Sequence, residues 1–140
     1  MRILIGALAV ALLAGCSTGP VSVSTAKTAA PAKVYAYQTK LAGSSGTLIL
    51  VRDSGYIGGG CDMGIYVDGQ LAARLATKEK VGLQLPAGQH VIGAGIVGSG
   101  ICAMGNDRRE REIAISDGKT SSYRVFTSTD GDVDLLPTTF

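Results

Sequence analysis

The chain has 140 residues, a formal net charge of +2 and no tryptophan, with 46% of its residues apolar and 5% aromatic. That length supports one small domain with a modest core. The near-neutral balance, poor in aromatic residues, excludes nucleic-acid binding through an uncompensated basic face, and a single histidine excludes zinc sites built on paired histidines.

In chain order, Met1-Arg2 precedes an unbroken apolar run from Ile3 to Leu13. Eleven residues are too few for a hydrocarbon core that needs about 20, so the run is a secretory h-region rather than a membrane span. Leu13-Ala14-Gly15-Cys16 then resembles the lipobox of bacterial lipoproteins. Small side chains at Ala14 and Gly15 let a peptidase approach the backbone, and only a thiol forms the thioether. The resemblance implies cleavage between Gly15 and Cys16, a diacylglyceryl group on Cys16 and an acylated new amino terminus. Several chains, at roughly 0.8 kcal/mol per buried methylene, anchor stably where one does not. Ser17 stands where the family's inner-membrane retention signal has aspartate, so the expected location is the periplasmic face of the outer membrane, ahead of the inner membrane.

With residues 1–15 removed, residues 16–33 are expected to be a lipidated tether. Ser17 to Lys33 holds no acid and no aromatic residue and cannot bury enough apolar area to offset its ordering entropy. As a flexible coil it would span roughly 23 Å. Ser24-Thr25-Ala26-Lys27 matches S-x-x-K of penicillin-binding enzymes, but no Lys-Thr-Gly or Ser-Asp-Asn follows it.

From Thr47 the pattern has a period of two. Thr47 to Asp53 is a β-rich run, and Met63, Ile65 and Val67 alternate against Gly64, Tyr66 and Asp68. Leu71 to Leu75 is short enough for a strand; Val81, Leu83 and Leu85 share a face, and Ile113 with Ile115 and Tyr123 with Val125 continue the alternation. Asp68-Gly69, Pro86-Ala87-Gly88 and Asp117-Gly118 supply turns between the runs. This predicts an all-β fold over 34–129, a small antiparallel β-sandwich of about seven short strands, followed by an acidic tail over 130–140.

Arg52 at a strand end, Val67-Asp68-Gly69, Leu85-Pro86-Ala87-Gly88-Gln89-His90, and Asp117-Gly118-Lys119 ahead of Tyr123-Arg124-Val125 resemble a family of small Gram-negative lipoproteins. Those proteins carry an uncharacterised domain related to PEGA-like β-sandwiches. The resemblance covers roughly residues 47 to 127 and implies a periplasmic lipoprotein with no established enzymatic function. Its motifs are turn and strand punctuation and specify fold rather than activity.

Gly93-Ala94-Gly95-Ile96-Val97-Gly98 has the G-x-G-x-x-G spacing of a dinucleotide loop. Such a loop works by opening a helix whose amides hold pyrophosphate, and Ser99 to Asn106 shows no helical apolar period. Export would also remove the supply of NAD or ATP. A glycine-rich strand and loop, with no nucleotide and no other cofactor, is the expectation. Gly118-Lys119-Thr120 imitates the end of a Walker A motif, but Ile113 occupies the place of its first glycine.

Once Cys16 takes lipid, Cys61 and Cys102 form an even pair in an oxidising compartment and are expected to be disulfide-bonded. Both have glycine neighbours, Gly58, Gly59 and Gly60 before the first and Gly98 and Gly100 before the second, which mark two candidate partner-binding loops. Asp107 to Glu112 carries three acids and three bases and is expected as a solvated hairpin tip. His90 is expected to satisfy a loop carbonyl. Asp130-Gly131-Asp132-Val133-Asp134 imitates the start of a calcium loop. Leu135 replaces its glycine and the chain stops before a bidentate glutamate, so a frayed tail without metal is expected. No catalytic constellation stands out. The sequence therefore predicts a non-catalytic, lipid-anchored module for another protein or cell-envelope component. The alternative is an inhibitor or immunity lipoprotein whose glycine loops block a periplasmic hydrolase or toxin.

Overall fold

A computed structural model describes residues 18–104 and 107–140. The signal segment, Gly15 and Cys16 lie outside the described residues. Among those described, nine strands form: β1 (Lys27–Thr28), β2 (Ser45–Arg52), β3 (Asp62–Val67), β4 (Gln70–Leu75), β5 (Glu79–Pro86), β6 (Gly88–Val97), β7 (Arg109–Ile115), β8 (Thr120–Thr127) and β9 (Val133–Pro137). One sheet has the order β1-β5-β2-β8-β9 and the other β4-β3-β6-β7. Their inner faces enclose a single core.

Alternation explains which faces meet. Met63, Ile65 and Val67 on β3, Leu83 and Leu85 on β5 and Leu48 and Leu50 on β2 are wholly buried, while Gly82 and Tyr66 turn outward between them. Burying each large aliphatic side chain is worth about 1.5–3 kcal/mol, and this term holds the two sheets together. At the β3–β4 turn Asp68 and Gly69 both have positive φ, 49° and 85°, the combination whose twist matches an antiparallel hairpin.

The all-β sandwich expected from the sequence is present, with three differences. First, β1 on β5 and β2 on β8 pair in parallel, so the first sheet is mixed. The whole second sheet is threaded between β2 and β8, and no hairpin turn dictates their direction.

Second, the tether expected over 16–33 is, from residue 18 onward, docked on the sandwich. Gly19 bridges Ser54, β1 lies along β5, and Val34 bridges Ala73 on β4 of the other sheet. The Lys27 and Ala29 amides donate to the Lys78 and Lys80 carbonyls, and Ala26 and Ala29 are buried. Backbone hydrogen bonds and small side chains on an open sheet edge replace the missing large apolar groups. The Lys33 ammonium lies 2.8 Å from Glu79 and 3.5 Å from Asp62, pinning the strap's end.

Third, the acidic tail contains β9, antiparallel to β8, with Leu135 wholly buried. Asp134 receives Arg111 at 2.8 Å, and Arg109 to Glu112 of the expected hairpin tip belong to strand β7, so Arg111 ties one sheet to the other. The Asp107 to Glu112 segment is solvated as expected, with only Arg111 partly buried, while the tail is a paired strand rather than a frayed end.

Candidate functional site: a stapled loop end and a glycine-floored trough

Several connections converge at one end of the sandwich. Asp62 pairs with Val97, Met63 pairs with Leu75, and the Lys78 amide donates to the Arg52 carbonyl. The end of β2, start of β3, end of β4, start of β5 and end of β6 therefore lie together. Cys61 and Cys102 are bonded there, with Cα atoms 5.5 Å apart, as the cysteine count predicts. Gly98 has φ +144° and a Cβ on it would come within 2.7 Å of the Cys102 Cβ, so the last glycine of the G-x-G-x-x-G match is where the backbone passes the bridge. A four-residue 3-10 turn, Gly100–Ala103, follows instead of the helix a dinucleotide would require.

Arg52 organises the first loop from beneath. It is buried, and its guanidinium donates to the carbonyls of Cys61, Leu75 and Gly58. Burial pulls its pKa below the usual arginine range against the more distant fields of Asp62 and Glu79. The charge is held by three carbonyl dipoles, which fixes the Gly58–Cys61 turn over the end of the core. Beside it, buried Asp53 accepts from the Arg124 Nε at 2.8 Å, and Arg124 in turn stacks on Phe126.

Above this framework the loops carry exposed apolar groups. Tyr56 is 87% exposed, Ile101 82% and Met104 81%. Gly58, Gly59, Gly60, Gly98 and Gly100 are thus brought to one end of the molecule, as two loops joined by the disulfide. Thr18 is packed against this same end: a Cβ on Gly55 would come within 2.7 Å of its Cγ2.

The other glycines of the motif build something the sequence did not disclose. On the outer face of the second sheet, Gly64 lies opposite both Arg74 and Gly95, and Tyr66 opposite Leu71 and Gly93. The Arg108 guanidinium stacks 4.5 Å from the Tyr66 ring, and its stem crosses Gly93 so closely that a Cβ there would meet its Cδ at 3.1 Å. Glycine is needed because side chains lie flat across these strands. The result is a cleft of about 290 Å3 floored by Gly95 and walled by Tyr66, Leu71, Arg74, Val97 and Arg108. The Arg74 Nε is buried without a hydrogen-bond partner, and no carboxylate among the described residues is within ion-pair distance of Arg74. Arg108 is held 2.8 Å from Glu110. Glycines alternating with core residues in β3 and β6 were the available signal for this face.

His90 stands at the far end of the molecule. Its Nδ1 is 2.8 Å from the Asp68 carboxylate and its Nε2 is 2.8 Å from the Pro86 carbonyl, the loop acceptor expected of it, with Asp68 an additional partner. Burial opposes its charge, but the Asp68 and Pro86 hydrogen bonds outweigh burial and raise its pKa above 6.5. Among the described residues, no group of three or more His, Cys, Asp or Glu side chains is placed to hold a metal, and no helix is long and apolar enough to cross a membrane. No protein-family model matches the chain, and no curated protein matches it.

Proposed function

We propose that the chain is a non-catalytic protein, anchored by lipid on Cys16 at the periplasmic face of the outer membrane, that binds another envelope component. The trough carries the binding half of this reading. Arg74 lines it as a cation with no carboxylate among the described residues within ion-pair distance. A carboxylate on a partner's surface would accept from its outer guanidinium N–H groups, and the Tyr66 ring with Leu71 and Val97 would cover adjoining apolar atoms. The lipobox residues Leu13 to Cys16 support the anchoring half.

A photo-crosslinking residue at Leu71, activated in cells producing the full chain, tests the reading. The expected result is a discrete adduct with an envelope component that disappears when Arg74→Ala is added. An absent adduct, or one indifferent to Arg74, contradicts it.

A further inference from the structure

We propose that the disulfide-linked loop end rests in the headgroup layer of the same bilayer that holds Cys16, with Tyr56, Ile101 and Met104 as its contacts. This rests on lipidation of Cys16 and adds to it an orientation. The docked strap supplies the reason. Had residues 16–33 been a free coil, the domain could stand at any angle, at a mean distance of roughly 23 Å. Thr18 instead lies against Gly55, next to Tyr56, and Gly19 is paired with Ser54 by two backbone hydrogen bonds. From Cys16 to Thr18 the chain can extend at most about 7 Å. The lipidated residue therefore lies within about 7 Å of Thr18, which itself packs on Gly55, so the bilayer surface lies near Gly55 and Tyr56.

The chemistry of this end suits such a surface. Tyrosine places an apolar ring and a polar tip at the water–lipid boundary, and isoleucine and methionine supply apolar atoms without charge. All three are more than four-fifths exposed and belong to the two loops that the disulfide joins. A surface of this kind adds to an acyl anchor through its buried apolar area. The trough begins beside the loop end, where Gly98, Cys102 and Ala103 line it, and continues over Gly95, Tyr66 and Arg108 on the outer face of the second sheet, so a partner seated there would bind next to the bilayer surface.

The chain holds no tryptophan, so single replacements report position cleanly. Full-length Tyr56→Trp, Ile101→Trp and Gln89→Trp proteins, each matured in cells, are purified and reconstituted in phosphatidylethanolamine–phosphatidylglycerol vesicles containing brominated acyl chains. Acylation is read by mass spectrometry, with Cys16→Ser as control. The expected result is about a two-fold loss of emission at positions 56 and 101, and none at 89, which is exposed at the far end. An acylated protein in which all three tryptophans are equally unquenched overturns the docking and leaves the anchor standing. Absence of the acyl mass from the protein with Cys16 intact overturns the anchoring and, with it, the orientation.

Discussion

The two ends of the sandwich are held by different means. At the far end the connections are tight turns with local chemistry: Asp68-Gly69 in the left-handed region, Gly88 after Pro86-Ala87, and Asp117, whose carboxylate accepts from the Ser45 amide at 2.9 Å. His90 clips two of these turns together. At the loop end the connections are long and glycine-rich, and distant groups fix them: the disulfide spans 41 residues, and Arg52 reaches carbonyls on both sides of it. Local turn chemistry leaves little backbone to be organised by anything else. Long glycine loops need a cross-link and a buried cation, and in return they can present apolar groups that no strand would expose.

Breaking the loop end should cost most. Arg52→Ala takes the guanidinium from three buried or part-buried carbonyls, of which that of Gly58 keeps the Cys61 amide, and is expected to destabilise by about 3–5 kcal/mol, read by urea unfolding. Replacing both Cys61 and Cys102 by serine should cost about 4 kcal/mol in the chain-entropy account, and reductant should bring the native protein to the same midpoint. A double-cysteine variant as stable as the reduced wild type, but with unchanged exchange in the Gly58–Cys61 loop, would show that Arg52 alone orders it.

The far end should respond less, and locally. Gly46→Ala would place a Cβ 2.6 Å from the Ser116 carbonyl oxygen, with an expected loss of about 1–3 kcal/mol by thermal unfolding and no change in the loop-end exchange pattern. His90→Gln should cost less, about 1 kcal/mol at most, because Asp68 is half exposed. Its effect should depend on pH. The raised His90 pKa means the pair's contribution is complete below about pH 6.5 and fades as pH rises through the folded-state value. Asp68 is held below its usual range by the His90 and Val91 hydrogen bonds, so the contribution is also lost as pH falls through that lowered value. The gap between wild type and His90→Gln should thus be widest near about pH 5–6 and narrow by about pH 9; a gap constant with pH would contradict the clip.

Smallest of all should be Lys33→Ala, a partly exposed pair worth a few tenths to about 1 kcal/mol, visible as faster proteolysis of the strap rather than as a shifted global midpoint.

What the sequence disclosed divides along the same line. Strands whose faces alternate strongly, such as Met63-Ile65-Val67 and Val81-Leu83-Leu85, and turns with their own chemistry, such as Asp68-Gly69, were legible because their determinants are local. The disulfide was legible by counting. β9 was not, because only Leu135 of its five residues is buried and Asp134 is stabilised by Arg111 from the other sheet. The strap was not, because its docking uses backbone amides and alanines, which leave no apolar period. The trough was hidden in glycines whose spacing imitates a nucleotide loop; their reason is that Tyr66 and Arg108 lie across them, a contact between strands that no single segment encodes.

The most direct test is amide hydrogen exchange of the protein at Gly19, Lys27 and Ala29. These amides donate to the Ser54, Lys78 and Lys80 carbonyls, so a docked strap predicts slow exchange, within reach of the neighbouring β5 amides. Exchange at the rate of a free peptide at all three would restore a loose tether and contradict the docked strap on which the proposed orientation of the loop end rests.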